Sequence, residues 1–176
     1  TNTWAKANLD KFGPVGAVYT TSQTAGRGRR GHTWINASGQ ALYYTVVLKT
    51  ELAQPESLPL FASMAVADAL EQRYGIQCQI KWPNDLVLEG RKLAGILTEA
   101  SLSGRGVDHV VIGIGVNCNN TLEDFPPELR DVATSLYLET GKRVQRAALA
   151  AALIEELDKL YAALQSGCLL YTSPSP

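Results

Sequence analysis

Four short segments carry side chains whose types and spacing could do chemistry. The first, Gln23-Thr24-Ala25-Gly26-Arg27-Gly28-Arg29-Arg30-Gly31, sets three arginines among three glycines. Glycine reaches backbone conformations closed to other residues, so successive amides can turn together toward an anion. The guanidinium groups add planar forks that match carboxylate or phosphate oxygens bidentately. The segment is not a Walker loop, because no Gly-Lys-Ser/Thr follows four residues after a glycine. By residue type alone, a solvated basic loop or an arginine-rich RNA contact fits it as well as an anion site.

The second segment is Lys81-Trp82-Pro83-Asn84-Asp85-Leu86. Pro83 ends strand pairing and holds Trp82 extended, which would leave Asn84 and Asp85 at a strand mouth. There an amide and a carboxylate can bind a ribose, a base or a metal ion, although Asn-Asp after proline also makes a plain Asx turn. The third is Arg91-Lys92-Leu93-Ala94-Gly95-Ile96-Leu97-Thr98-Glu99. On a regular strand, alternation puts Lys92 and Ala94 on one face and Leu93 and Gly95 on the other. Small residues at 94 and 95 leave room for a ligand, and Lys92 is placed to meet an anion or to sit exposed at an edge. The fourth, Ile112-Gly113-Ile114-Gly115-Val116-Asn117, strips side chains from one strand face and closes with a two-way amide. It lacks the spacing and following helix of a dinucleotide fingerprint.

The remaining residues exclude several classes. His32 and His109 have no cysteine or carboxylate at ligand spacing, so no protein-held metal is expected. No nucleophile pairs with a base, so an enzyme built on this chain would work by positioning and electrostatics. Sixteen Lys and Arg against seventeen Asp and Glu give a net charge of −1, too little positive charge for a nucleic-acid coat. Cys78, Cys118 and Cys168 fit no disulfide framework and read as buried, reduced thiols of a cytoplasmic protein. No run of apolar residues is long enough to span a membrane, and no secretory leader pattern opens the chain.

These segments need elements to hold them. A short helix over Thr3 to Lys11 is expected, broken by Gly13-Pro14, and then a strand from Val15 to Thr20. Residues 22–40 read as a polar connection of functional length, and Ala41 to Lys49 as a strand buried on both faces. Ser57 would cap a helix running to Tyr74, with Leu58, Phe61, Ala62, Ala65 and Ala69 on one face and Gly75 as its stop. A strand over Ile76 to Trp82 follows, then a hairpin of Asp85 to Glu89 and Lys92 to Ala100 around Gly90-Arg91. Val107 to Val116 is a further strand. Beyond Pro126-Pro127 the chain reads as helical, ending in a stripe of Leu149, Leu153, Leu157, Leu160 and Leu164. Glu155, Glu156, Asp158 and Lys159 would face away from that stripe. The sum is one α/β or α+β domain over residues 1–166, a mixed sheet with flanking helices. Residues 167–176 end in a Ser-Pro run and read as a non-native or truncated tail.

Taken together and in order, Thr1-Asn2, Gln23, the Gly26 to Gly31 segment, Trp34, Lys81 to Asp85, Arg91 to Leu97 and Gly113 to Asn117 resemble the catalytic domain of biotin–protein ligases. The resemblance implies a fold similar to class II aminoacyl-tRNA synthetases and lipoate ligases. It also implies formation of biotinyl-5′-adenylate from biotin and ATP with Mg²⁺, followed by transfer to a lysine of a biotin carboxyl carrier domain. Under it, Lys92, Arg27 and Arg29 are the catalytic cations. Thr1, Asn2, Gln23, Gly26, Arg27, Arg29, Lys92, Gly95 and Gly115 are the biotin-side residues, and Arg30, Trp34, Asn84, Asp85 and Asn117 the nucleotide-side ones. A homodimer is compatible with it. The alternatives are a lipoate–protein ligase and a non-catalytic RNA-binding module using Arg27 to Arg30. The family usually has a serine before the Thr-Asn pair and a small C-terminal β-barrel, so the chain reads as a ligase core trimmed at both ends.

Overall fold

The computed structural model describes residues 1–35, 39–49, 55–104 and 106–166. Its frame is a sheet of β1 (Val15–Thr20), β2 (Leu42–Leu48), β3 (Gln79–Lys81), β4 (Asp85–Leu88), β5 (Arg91–Ser103) and β6 (Gly106–Val116). The strand order is β1-β2-β6-β5-β4-β3, and every neighbouring pair is antiparallel. The one parallel pairing recorded is an isolated bridge between Lys92 and Ala133. With its helices the sheet makes the expected α+β fold, but it is antiparallel throughout where a mixed sheet was expected, because neighbouring strands are joined by hairpins or by connections that return antiparallel.

Alternation divides the central strands between two environments. Leu42, Tyr44, Val46 and Leu48 of β2, Val110, Ile112, Ile114 and Val116 of β6, and Ala94 and Ile96 of β5 enter the main core. That core is closed by α2 (Leu58–Tyr74) and α4 (Arg146–Gln165). Leu70, Leu86, Leu93, Leu149 and Leu153 are fully buried, each worth roughly 1.5–3 kcal/mol over its exposed state. On the opposite face, Val47 and Val111 pack with Ala5 of α1 (Asn2–Ala7) in a small second cluster. The bare stretch beside that cluster becomes the site.

Local boundaries follow from side-chain chemistry. Ser57 ends a short 3₁₀ turn that leads into α2, and Gly75 ends the helix in a left-handed conformation, its N–H donating to Glu71 O at 2.8 Å. The opening helix is shorter than expected, Asn2–Ala7, with a separate 3₁₀ turn at Leu9–Lys11. The strand expected over Ile76 to Trp82 narrows to Gln79–Lys81. Beyond Pro126-Pro127 the helical expectation holds only in part, with a 3₁₀ turn at Pro127–Leu129 and the five-residue α3 (Leu136–Thr140) before α4. Buried Asn119 shapes this stretch, since its side chain accepts from Val144 N at 2.8 Å and donates to Val144 O at 3.0 Å. Glu156 is not turned away from the core: it is buried, with Lys159 Nζ 2.6 Å from its carboxylate. The tail at 167–176 lies outside the described residues.

The β4–β5 hairpin departs from the expected turn by one residue. Leu88 pairs with Arg91, so the loop is Glu89-Gly90, and both hold positive φ, 48° and 75°. Paired positive φ values favour Asn-Gly, because a glutamate there holds a left-handed conformation that asparagine tolerates better. Glu89→Asn is expected to stabilise the fold by about 0.5–1 kcal/mol, read as a higher thermal midpoint. An unchanged or lower midpoint would count against this account of the turn.

Candidate active site

The floor of the site is made of missing side chains. Gly115 faces Tyr43 on β2 and Gly95 on β5, and Gly113 faces Thr45 and Leu97, so three glycines share one patch of sheet. A Cβ on Gly95 would lie 2.6 Å from the Trp34 ring, and one on Gly115 would lie 2.9 Å from it. A Cβ on Gly113 would come within 2.4 Å of Asn2 Oδ1. Only glycine lets the indole and the amide settle this close to the backbone.

Lys92 reaches that floor through a β-bulge. Leu86 pairs with Ala94 but Val87 with Lys92, leaving Leu93 as an extra residue on β5. Leu93 and Ala94 therefore both enter the core, and Lys92 turns to the side of Gly95, its Cε 3.2 Å from where a Gly95 Cβ would stand. This corrects the simple alternation that separated Lys92 from Gly95; bulges commonly re-aim a side chain beside a functional site. The Lys92 backbone is held from its other side, with Lys92 N donating to Val132 O at 2.8 Å and Thr134 N to Lys92 O at 2.9 Å. Lys92 also stands inside the sheet and not at an edge.

The glycine–arginine segment folds back on itself. Gly28 N donates to His32 O at 2.7 Å, Trp34 N to Gly26 O at 3.0 Å, and Arg27 bridges Thr33. A Cβ on Gly26 would stand 2.4 Å from Trp34 O, so the two arms meet only because residue 26 is glycine. The turn runs through Arg29–Gly31, with Arg30 left-handed at φ 53°. Arg27 and Arg29 then point inward, which argues against a loop presented to RNA.

Each inward cation has a protein partner. Lys92 Nζ is 2.8 Å from Asp85 Oδ1 and 5.2 Å from the Trp34 ring centroid. Arg29 donates to Asn84 Oδ1 at 2.9 Å, and Asn84 Nδ2 donates to Asp85 Oδ1 at 3.0 Å. Arg27 Nη2 donates to both oxygens of Glu99 at 3.2 Å. Partial burial alone would raise the Glu99 carboxyl, but hydrogen bonds from Lys6 and Asn2 and the charges of Lys6 and Arg27 outweigh it and hold its pKa below the ordinary glutamate value. Burial pushes the thiols the other way, Cys78 to about 11 and Cys118 to about 12, far from any reactive range.

One pocket is lined by Thr1, Asn2, Gln23, Arg27, Arg29, Trp34, Asn84, Lys92, Gly95 and Gly115. Gly26 and Asp85 support it from behind, through Trp34 and Lys92. Arg30 and Asn117 are not in its lining; buried Asn117 donates to Thr134 O at 3.0 Å and so fixes the segment that pairs with Lys92. The lining also includes Tyr43, Leu97 and Gly113, which the sequence reading did not single out as site residues. Their signal was register: each lies across from or beside one of the recognised glycines. Thr1 N donates to Gln23 Oε1 at 2.6 Å, joining the start of α1 to the start of the loop. Among the described residues no group of three or more His, Cys, Asp or Glu could hold a metal ion, and no helix is long and apolar enough to cross a membrane.

A helix-backed antiparallel sheet thus carries a cation-lined pocket under a glycine–arginine segment. The Biotin/lipoate A/B protein ligase family matches residues 1–117, and the chain belongs to that family. It is 39% identical over 146 residues to the bifunctional ligase/repressor BirA of Bacillus spizizenii, covering 82% of this chain and 45% of that protein. It is 46% identical over 105 residues to the biotin–[acetyl-CoA-carboxylase] ligase of Paracoccus denitrificans, covering 57% of this chain and 43% of the relative. The biotin protein ligase of Aquifex aeolicus in complex with biotin and ATP matches with a TM-score of 0.73 at 32% identity, covering 85% of this chain and 62% of that one. The chain thus spans about half the length of the curated relatives it matches.

Asn2 is buried and fully engaged: Oδ1 accepts from Thr45 at 2.9 Å, and Nδ2 donates to Leu97 O at 3.1 Å and Glu99 Oε2 at 2.9 Å. Asn2→Asp replaces that donor with a carboxylate facing Glu99, a loss of about 1–3 kcal/mol at neutral pH. The new acid, raised by its neighbour, takes up a proton as pH falls, so the deficit is expected to shrink toward about pH 5. Thermal midpoints across that range check it; a deficit independent of pH would remove the like-charge explanation.

Proposed function

We propose that the chain is the catalytic core of an ATP-dependent biotin–protein ligase. The observation that carries this reading is that Arg29 and Lys92, held by the adjacent Asn84 and Asp85, line one pocket with Gly95, Gly113 and Gly115. In the first step a biotin carboxylate oxygen attacks the α-phosphorus of ATP, forming the mixed anhydride and releasing pyrophosphate. In the second, the ε-amine of an acceptor lysine attacks the acyl carbon, forming the amide and releasing AMP. Both substrates of the first step are anions, so cations must offset their repulsion as they approach. Lys92 and Arg29 are placed to do this, each charge-assisted hydrogen bond contributing ~1.5–3 kcal/mol. Asp85 holds Lys92 in place until the anions arrive, so little reorganisation accompanies reaction.

Trp34, Leu97 and Gly115 in the lining suit the ring system of biotin, and the mutually bonded Gln23 and Thr1 add polar groups to the same pocket. The Paracoccus relative is named a biotin ligase and the Aquifex structure holds biotin and ATP, which favours biotin over lipoate as the substrate. Mg²⁺ enters with the triphosphate. It commonly takes one or two carboxylates plus phosphates and water, and Asp85, here paired with Lys92, is the carboxylate that would meet an ion carried by the nucleotide. The acceptor would be a biotin carboxyl carrier domain, and the setting the cytoplasm, where ATP and reduced thiols coexist. A homodimer is compatible with this reading.

Biotin-dependent ATP–pyrophosphate exchange tests the assignment directly. Exchange with lipoate but not biotin, or salt-sensitive RNA binding with no exchange, would replace it. Lys92→Ala is expected to lower exchange by at least about a hundredfold while leaving the thermal midpoint nearly unchanged, and near-normal exchange would remove Lys92 from the chemistry. Arg29→Gly is expected to release the adenylate, seen as biotin label on an unrelated protein incubated with ATP and biotin. Labelling confined to the carrier domain would contradict a retaining role for Arg29.

A further inference from the structure

Glu99 sits at the end of the β5 row formed by Gly95 and Leu97, beside the pocket and outside its lining. Its carboxylate gathers donors from two separate segments. Lys6 Nζ lies at 2.7 Å, Asn2 Nδ2 at 2.9 Å and Arg27 Nη2 at 3.2 Å. α1 and the root of the arginine loop are therefore tied to β5 through one side chain. The consequence for charge is uneven. Arg27 faces a carboxylate, whereas Arg29 donates to the neutral Asn84 amide. Two arginines two residues apart thus stand in different electrostatic states.

We propose that Glu99 is a positioning residue for ligand capture, anchoring the loop through Arg27 and orienting Asn2, so that Arg29 is the loop cation that meets the anion. This rests on the ligase reading for its substrate, although the anchor itself does not. It also moves Arg27 from direct catalysis to support. Without the carboxylate, the loop root loses its tie to β5, the Asn2 amide loses one acceptor, and Lys6 and Arg27 repel each other across the gap. The pocket must then be ordered at the cost of ligand affinity, a change that appears in KM before kcat.

The test uses Glu99→Gln, Glu99→Asp and Arg27→Ala in the full chain. In the absence of ligand, trypsin is expected to cut within residues 27–31 several times faster in Glu99→Gln than in the unaltered protein. In biotin-dependent pyrophosphate exchange the same variant is expected to raise the KM for biotin about tenfold, with kcat within about twofold. Glu99→Asp keeps the charge and is expected to recover most of both effects. Adding Arg27→Ala to Glu99→Gln is expected to change little further, because the pair acts as one unit. Cleavage and KM both within about twofold in Glu99→Gln would overturn the proposal, as would full additivity with Arg27→Ala or no recovery in Glu99→Asp. If the unaltered protein shows no biotin-dependent exchange, the ligase reading fails while the cleavage comparison still decides whether Glu99 anchors the loop.

Discussion

Because a strand shows alternate residues to opposite faces, the run from Val110 to Val116 has to serve two environments at once. Its even-numbered residues are branched and fill the core against α2 and α4. On the other face Val111 packs under α1, and then Gly113 and Gly115 present bare backbone. A side chain at either glycine would push out Asn2 or Trp34, and with them the inner wall of the pocket. Gly95 lies directly across from Gly115, so the bare patch spans two strands, and the Trp34 ring lies against both. The helices on the far side make this affordable in stability, since the same strands that weaken one face are fully packed on the other.

The charges are arranged for position more than for stability. Exposed ion pairs contribute about 0–1 kcal/mol, and Arg27, Lys92 and Lys6 are each more than a third exposed. What the pairs with Asp85 and Glu99 do is choose a direction for each long, flexible cation before any ligand is present. That direction is reinforced from the backbone. Lys92 is fixed on one side by its bulge against β4 and on the other by Val132 and Thr134, which Asn117 holds in turn. The groups on which the proposed chemistry relies would then need little rearrangement.

Much of this was legible in the sequence. β1 and β6 fall where hydrophobic patterning placed them to within a residue, and the pocket gathers residues drawn from all four of the motif segments. What was hidden came from register and distance. The face of Lys92 depends on a bulge defined by pairing with β4, and local alternation gave the opposite answer. The role of Glu99 depends on partners 72 to 97 residues away, so nothing beside it in sequence marks it. Glu156 looked like one more solvent-facing acid on α4 and is instead buried, because α2 packs over that turn. Asn117 looked like a ligand group from its place at a strand end. Its amide is spent on Thr134, a segment whose path only the fold reveals.

The loop that closes the pocket is tied to the body far more weakly than the sheet is tied to itself. Its own arms share three backbone pairings, and its ties to the body include Thr1 to Gln23, Arg27 to Glu99, Arg29 to Asn84 and Tyr43 to Ile35 O, with Trp34 laid on the glycine floor. At about 0.5–1.5 kcal/mol for a net hydrogen bond, the two arginine ties contribute only a few kcal/mol. Trp34 Nε1 is buried and has no acceptor among the described residues. β5 and β6, by contrast, share a ladder running from Ala94 to Ser103 and a core behind it. The glycine floor thus rests on a continuous ladder backed by the core, whereas the arginine segment rests on separate side-chain contacts.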